Sequence, residues 1–151
     1  MPLHPAAGAP AEVLVVHWHA DMREPERRTF EDRVTALVNA TRARRGLPAL
    51  GTDDRLRCSS RRHCADMAAH RLLAHQLPRC PTPFERMAAE GFPHPAGENV
   101  AFGQETPVRV VEAWMRSRPH RANILDPRFR VVGVGVVRTA DGHWWTQNFG
   151  Y

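Results

Sequence analysis

Residues 130–149, RVVGVGVVRTADGHWWTQNF, constrain the fold more tightly than any other stretch of this chain. The valine-rich run predicts a strand over 130–138, Asp141-Gly142 is a strong hairpin-turn signal, and 143–149 predicts an antiparallel return strand. Neighbouring residues on a strand point to opposite faces, so Trp144 and Trp145 are both buried only if both faces of the sheet are covered. Two layers of helices supply that cover. Gly133 and Gly135 share one face and leave room for a helix or loop to approach closely.

The preceding residues supply the helices. Phe30, Val34, Leu37, Val38 and Thr41 recur at helical spacing over 29–45, with Thr29 and Asp32 resembling a capping box and Gly46 as the stop. Asp53 or Asp54 caps a second helix reaching 70–73, with Leu56, Ser60, His63, Cys64 and Met67 as its inner stripe. In that stripe His63 reads as a hydrogen-bonded core histidine, and His70 as a complement to the helix dipole. A short helix is expected over 84–91. A strand is expected between Gly97 and Gly103, where Val100 and Phe102 alternate with Asn99 and Ala101. Pro107 opens a further helix with Val108, Val111, Trp114 and Met115 on one face. Pro119 is expected to stop it after Arg118, leaving His120 in a turn-rich segment. Together these elements predict an α+β fold, a three-layer α-β-α sandwich with a central antiparallel sheet.

A chain of 151 residues suits one domain with its own core. Residues 1–28 read as an N-terminal arm and 29–151 as the domain. Within the arm, 13–16 is a possible edge strand and His17-Trp18-His19 is taken as surface. No apolar run reaches the length of a membrane span, and no signal peptide is visible at the start. The formal charge of +5 raises anionic partners, but the basic residues are all arginine and scattered. Arg42, Arg44, Arg45, Arg61, Arg62 and Arg71 are placed mostly on outward helix faces. Without a groove-reading element or aromatic platform, nucleic-acid binding is not expected.

There are three cysteines. Cys58 and Cys64 lie six apart on a helix, about 9 Å of rise, beyond disulfide reach. Cys80, in a proline-flanked loop, is the better partner for either. The simpler reading is small buried thiols with at most one bridge.

The runs VNATRARRGLPAL, RHCADMA, LLAH, GENVAFG, AWMRSRPHRANIL and GVGVV…WWTQNFG occur in this order. From residue 29 to 151 they resemble the CAP superfamily, the SCP-like domain of cysteine-rich secretory, antigen 5 and pathogenesis-related proteins, and its bacterial branch in particular. The resemblance implies an α-β-α sandwich, an extracellular or cell-envelope location, and a shallow cavity ringed by two histidines and two glutamates that can hold a divalent metal. On this chain LLAH supplies His75, GENV supplies Glu98 with Asn99 beside it, and RPHRAN supplies His120. The fourth position, usually Glu, is Ser117. Two imidazoles make an open, weak site for Zn²⁺, with Glu98 orienting a ligand or a bound water. The plainer alternative is that these residues form a hydrogen-bonded network stitching strand to helix.

Three functions compete. A monomeric binding module would take a small amphiphile, peptide or cell-wall component in the cavity or a neighbouring apolar groove. A metal-dependent hydrolase, peptidase or esterase, would use Glu98 as general base on a zinc water. A structural domain would use the cluster for stability alone. HExxH and GxSxG motifs are absent, which favours the binding module.

Overall fold

A computed structural model describes residues 22–151. The expected strand at 13–16 and the His17-Trp18-His19 cluster lie outside the described residues. The elements are α1 (Glu24–Ala43), β1 (Gly51–Thr52), α2 (Asp54–His70), α3 (Pro83–Ala89), β2 (Pro95–Phe102), α4 (Pro107–Arg116), α5 (Arg118–Ile124), β3 (Val131–Thr139) and β4 (Gly142–Gly150). The strand order is β1-β3-β4-β2. Both β2 and β3 run antiparallel to the central β4, and β1 adds two residues parallel to β3. Helices cover both faces, as the tryptophan pair requires. Trp145 is buried with Val34, Val38, Val110 and Trp114 on one face. On the other, Trp144 joins Met67, Leu77 and Val137.

Three boundaries differ from expectation. Helix α1 starts five residues before Thr29, because Pro25 fits the first turn and Glu24 and Glu26 complement the helix dipole there. Thr29 therefore caps nothing; its hydroxyl donates to Pro25 O one turn back. Pro119 does not stop α4. The chain breaks at Ser117, whose backbone is extended (φ −97°, ψ 121°), and Pro119 occupies the first turn of α5, which carries His120. The hairpin loop is Ala140 and Asp141, one residue before the Asp141-Gly142 signal, with Thr139 facing Gly142.

The arginines are also more internal than charge scatter suggests. Arg42 is fully buried and donates to Pro48 O, Ile124 O and Asp126 O, each at 2.9 Å, tying α1 to the turn after α5. Arg61 and Arg57 reach from α2 to Glu31 of α1, which is buried. Helices on opposite faces can meet only past a sheet edge, so this ion-paired cluster joins the outer layers directly.

Helix α2 lies unusually close to the sheet. An added Cβ on Gly133 would overlap the backbone at Leu56 and Arg57, and one on Gly135 the backbone at Ser60 and Arg61. At such a separation only small side chains fit between, and the polar ones bond: Ser60 Oγ donates to Gly133 O at 2.8 Å, and Asn148 Nδ2 to Ser59 Oγ at 3.0 Å.

The outer edge of β2 is closed as well. The bond from Gly103 N–H to His143 O fixes the phase of the antiparallel ladder, so Glu98 and Val100 turn their carbonyls away from β4. Asn123 of α5 donates to Glu98 O and Trp114 of α4 to Val100 O, both at 3.2 Å.

The glycine contact gives a direct test. Gly133→Ala should destabilise the domain by about 3 kcal/mol or more, because helix backbone cannot yield as a side chain does. Urea unfolding monitored by tryptophan fluorescence measures it. A loss below about 1 kcal/mol would contradict the packing described.

Candidate functional site

Position 98 lies on the β2 face that meets α2, with its carboxylate almost wholly enclosed (side chain 2% exposed). Three side chains converge on it. His75, in the loop after α2, brings Nδ1 to 3.0 Å from Oε1. Buried His63 of α2 brings Nε2 to 3.9 Å from the same oxygen. Arg86 of α3 donates through Nη2 to Oε1 at 3.1 Å, while Nη1 stands 2.9 Å from Oε2 as an ion pair without hydrogen-bond alignment. A capping box between Thr82 and Glu85 fixes the start of α3 and with it the place of Arg86.

The same groups hold the His75 loop. His63 Nε2 lies 2.7 Å from Ala74 O, which requires Nε2–H as donor, and Arg86 Nη2 donates to His75 O at 2.7 Å. His63 is thus a core histidine, as read from the sequence, and it also belongs to the Glu98 cluster.

His120 lies in the opposite layer, on α5. Asn99 faces α5 and donates to His120 O and Gln147 Oε1, and Asn123 Nδ2 donates to Asn99 Oδ1 at 2.9 Å. Asn99 therefore holds the backbone that presents His120. Ser117 and His120 line an open groove of about 220 Å³ over the β2 edge, together with Leu73, Phe102 and Gln104. His75 is near enough to influence the charge of His120. His75 and Glu98 meet on one side of β2, and His120 and Ser117 line the groove over its edge.

Burial holds the pKa of His120 below the usual imidazole value, with the adjacent His75 acting in the same direction. Burial also lowers that of His63, against an upward pull from Glu98 and with Arg86 adding to the lowering. Burial thus favours the neutral form of both rings, and for His120 a neutral ring is what metal coordination requires. The donor set is small, however. Glu98 is engaged by Arg86, two imidazoles are half of a tetrahedral set, and no three His, Cys, Asp or Glu side chains converge as a metal site among the described residues.

The three cysteines are free thiols, so the expected bridge from Cys80 to Cys58 or Cys64 is not formed. Cys58 is exposed on α2. Cys64 points into the sheet, donating toward Gly135 O at 3.3 Å and Thr146 Oγ1 at 3.2 Å, and burial pushes its thiol pKa well up.

Arg86 is the principal residue that sequence reasoning missed. The capping box TPFE was the available signal: it fixes the helix, and Arg86 follows directly after it, 12 residues before Glu98.

Two outcomes follow. Arg86→Met leaves a buried carboxylate with only the half-exposed His75 as a close partner and should cost about 3 kcal/mol, whereas Arg86→Met with Glu98→Gln should recover much of that loss. Additive losses in urea unfolding would show that the pair is not coupled. Second, histidines with lowered folded pKa values lend stability above their unfolded value of 6.5 that is lost as pH falls toward the folded values. Glu31, raised chiefly by burial, acts oppositely above 4.5, so the comparison must be between variants. The drop in Tm between pH 7 and about pH 5 should be smaller in His120→Gln than in the parent; equal drops would refute the assignment.

Comparison with known proteins places these residues in context. The family model described as the cysteine-rich secretory protein family (CAP) matches residues 35–149. The uncharacterized protein YkwD of Bacillus subtilis (strain 168) is 44% identical over 121 residues, 80% of this chain and 46% of that protein. The uncharacterized membrane protein YlbC of the same organism is 30% identical over 123 residues, 80% of this chain and 34% of its own length. This chain therefore spans less than half of either curated relative. Among solved structures, an extracellular protein containing a SCP domain from Bacillus anthracis str. Ames superposes with TM-score 0.76 at 26% identity, covering 87% of this chain and 44% of that one. An outer surface protein from Borrelia burgdorferi superposes with TM-score 0.72 at 23% identity, over 78% of this chain and 88% of that one, a likeness of fold alone.

Proposed function

The chain belongs to the cysteine-rich secretory protein (CAP) family, and on that footing we propose that it is an extracellular or cell-surface binding module for a small anionic amphiphile. The observation that carries this reading is a groove of about 370 Å³ between α1 and α4. Its walls are apolar, from Leu37, Ala40, Val111 and Met115, with Val108 exposed at 45%. Arg44 and Arg45 stand at its side against one carboxylate, Glu112. The volume holds about a dozen methylene-sized groups at the ~30 Å³ share of a water molecule. An apolar slot with convergent cations suits an alkyl chain ending in a carboxylate or similar anion. The location draws support from the extracellular and outer-surface proteins that share the fold. No helix among the described residues is long and apolar enough to cross a membrane.

The hydrolase reading has less support, because a general base must be free to take a proton and both oxygens of Glu98 face Arg86. Zinc on His75 and His120 remains a separate proposal: weak binding, removed by His120→Ala and strengthened by Ser117→Glu, as read by calorimetric titration.

Calorimetric titration with decanoate tests the main reading. Saturable binding should weaken about tenfold in Val108→Glu, which sets a carboxylate in the slot, and decyltrimethylammonium should bind far less well. Equal binding of both detergents would refute it. Ester turnover abolished by chelator and by Glu98→Gln would favour the hydrolase instead.

A further inference from the structure

A second cavity, of about 190 Å³, lies between α2 and α3 and shares no lining residue with the groove of His120 and Ser117. Its walls are largely apolar, from Leu77, Pro81 and Ala89, with a few polar groups set among them. Arg86, nine-tenths buried, lines it, and its Nε–H has no hydrogen-bond partner. Ser59, also in the wall, accepts from Asn148 and keeps its own O–H to donate; Asn148 Oδ1 behind it is likewise unpartnered. His63 is enclosed here too, and since its Nε2–H is given to Ala74 O, its Nδ1 retains a lone pair. Buried donors and acceptors left open in one cavity indicate an occupant that can satisfy them.

The mouth has the opposite character. Arg62 is paired there with Glu90 at 3.0 Å, whereas Asp66, also in the lining, makes no ion pair among the described residues. A ligand entering this cavity therefore meets an uncompensated carboxylate at the rim and a guanidinium N–H at depth. A bare anion is opposed by Asp66, and a bare cation leaves the Arg86 Nε–H unsatisfied, the Arg86 charge being already balanced by Glu98. At the ~30 Å³ share of a water, the volume accommodates about six non-hydrogen atoms. That is the size of alanine.

We propose that this cavity binds a small amino-acid zwitterion, its carboxylate on Arg86 Nε–H and the Ser59 hydroxyl and its ammonium on Asp66 at the mouth. The site is separate from the α1–α4 groove and does not depend on what occupies it. Arg86 then serves two carboxylates, holding Glu98 with its Nη groups and the ligand with Nε, which the fork of guanidinium donors allows.

The test is a titration of the ¹⁵N-labelled protein followed at the assigned Arg86 Nε–H and Ala89 amide resonances, with alanine, acetate and methylammonium as probes. Alanine should shift both saturably, with acetate and methylammonium each about tenfold weaker, since each lacks one charge-assisted contact. Asp66→Asn should bring alanine and acetate to similar affinities, alanine weakening as its ammonium loses a partner and acetate tightening as the opposing carboxylate is removed. Ala89→Phe, at the cavity wall, should abolish alanine binding with the remaining amide spectrum intact, and Val108→Glu in the distant groove should leave it unaltered. An Arg86 Nε–H that alanine does not move, or equal affinities for alanine and acetate, overturns the proposal.

Discussion

Helix α2 rests with its backbone on Gly133 and Gly135, and most of the molecule is arranged around that contact. Because no Cβ intervenes, the helix row facing the sheet is restricted to small groups. Ser59, Ser60 and Cys64 all find partners on β3 or β4. The depth of the helix then sets where His63 sits, and His63 fixes the loop at Ala74 that presents His75. A bulkier residue on β3 would raise the helix and carry the His75 loop with it. Packing density and site geometry are here the same constraint.

The candidate site residues come from two layers that do not share a face of the sheet. His75 and Arg86 come from the α2–α3 side, His120 and Ser117 from the α4–α5 side, and β2 runs between them. Alternation along β2 makes this possible: Glu98 faces one layer and Asn99 the other. The Asn99–Asn123–Gln147 bonds and the Glu98–Arg86 pair are the two halves of one fastening, each holding a histidine-bearing segment to the same strand.

Much of the fold was legible because periodicity and turn chemistry report backbone and burial. Adjacent Trp144 and Trp145 required a covered sheet, the glycines on β3 indicated a close helix or loop, and Asp53 or Asp54 marked the start of α2, the cap being Asp53. What was not legible depended on partners distant in sequence. Arg42 looks like surface charge within ATRARRG, and only the fold brings Ile124 O and Asp126 O to it. Arg86 looks equally ordinary until Glu98 is beside it. Pro119 was read as a stop since proline ends helices, but it begins them as readily, and the extended backbone at Ser117 decided between the two. His75, Glu98 and His120 were placed by resemblance, not by any physical pattern in their spacing.

The closed edge of β2 has a consequence for how such a domain behaves among its own copies. An open strand edge is a template on which another chain can add, and crowding makes that addition more frequent. Here the outward carbonyls of Glu98 and Val100 are already taken by Asn123 and Trp114. Strand-to-strand polymerisation at this edge would first have to strip away α4 and α5. On this side, a protein displayed at high density can therefore keep a long strand beside its tryptophan-bearing neighbour without that edge becoming a nucleus for fibrils.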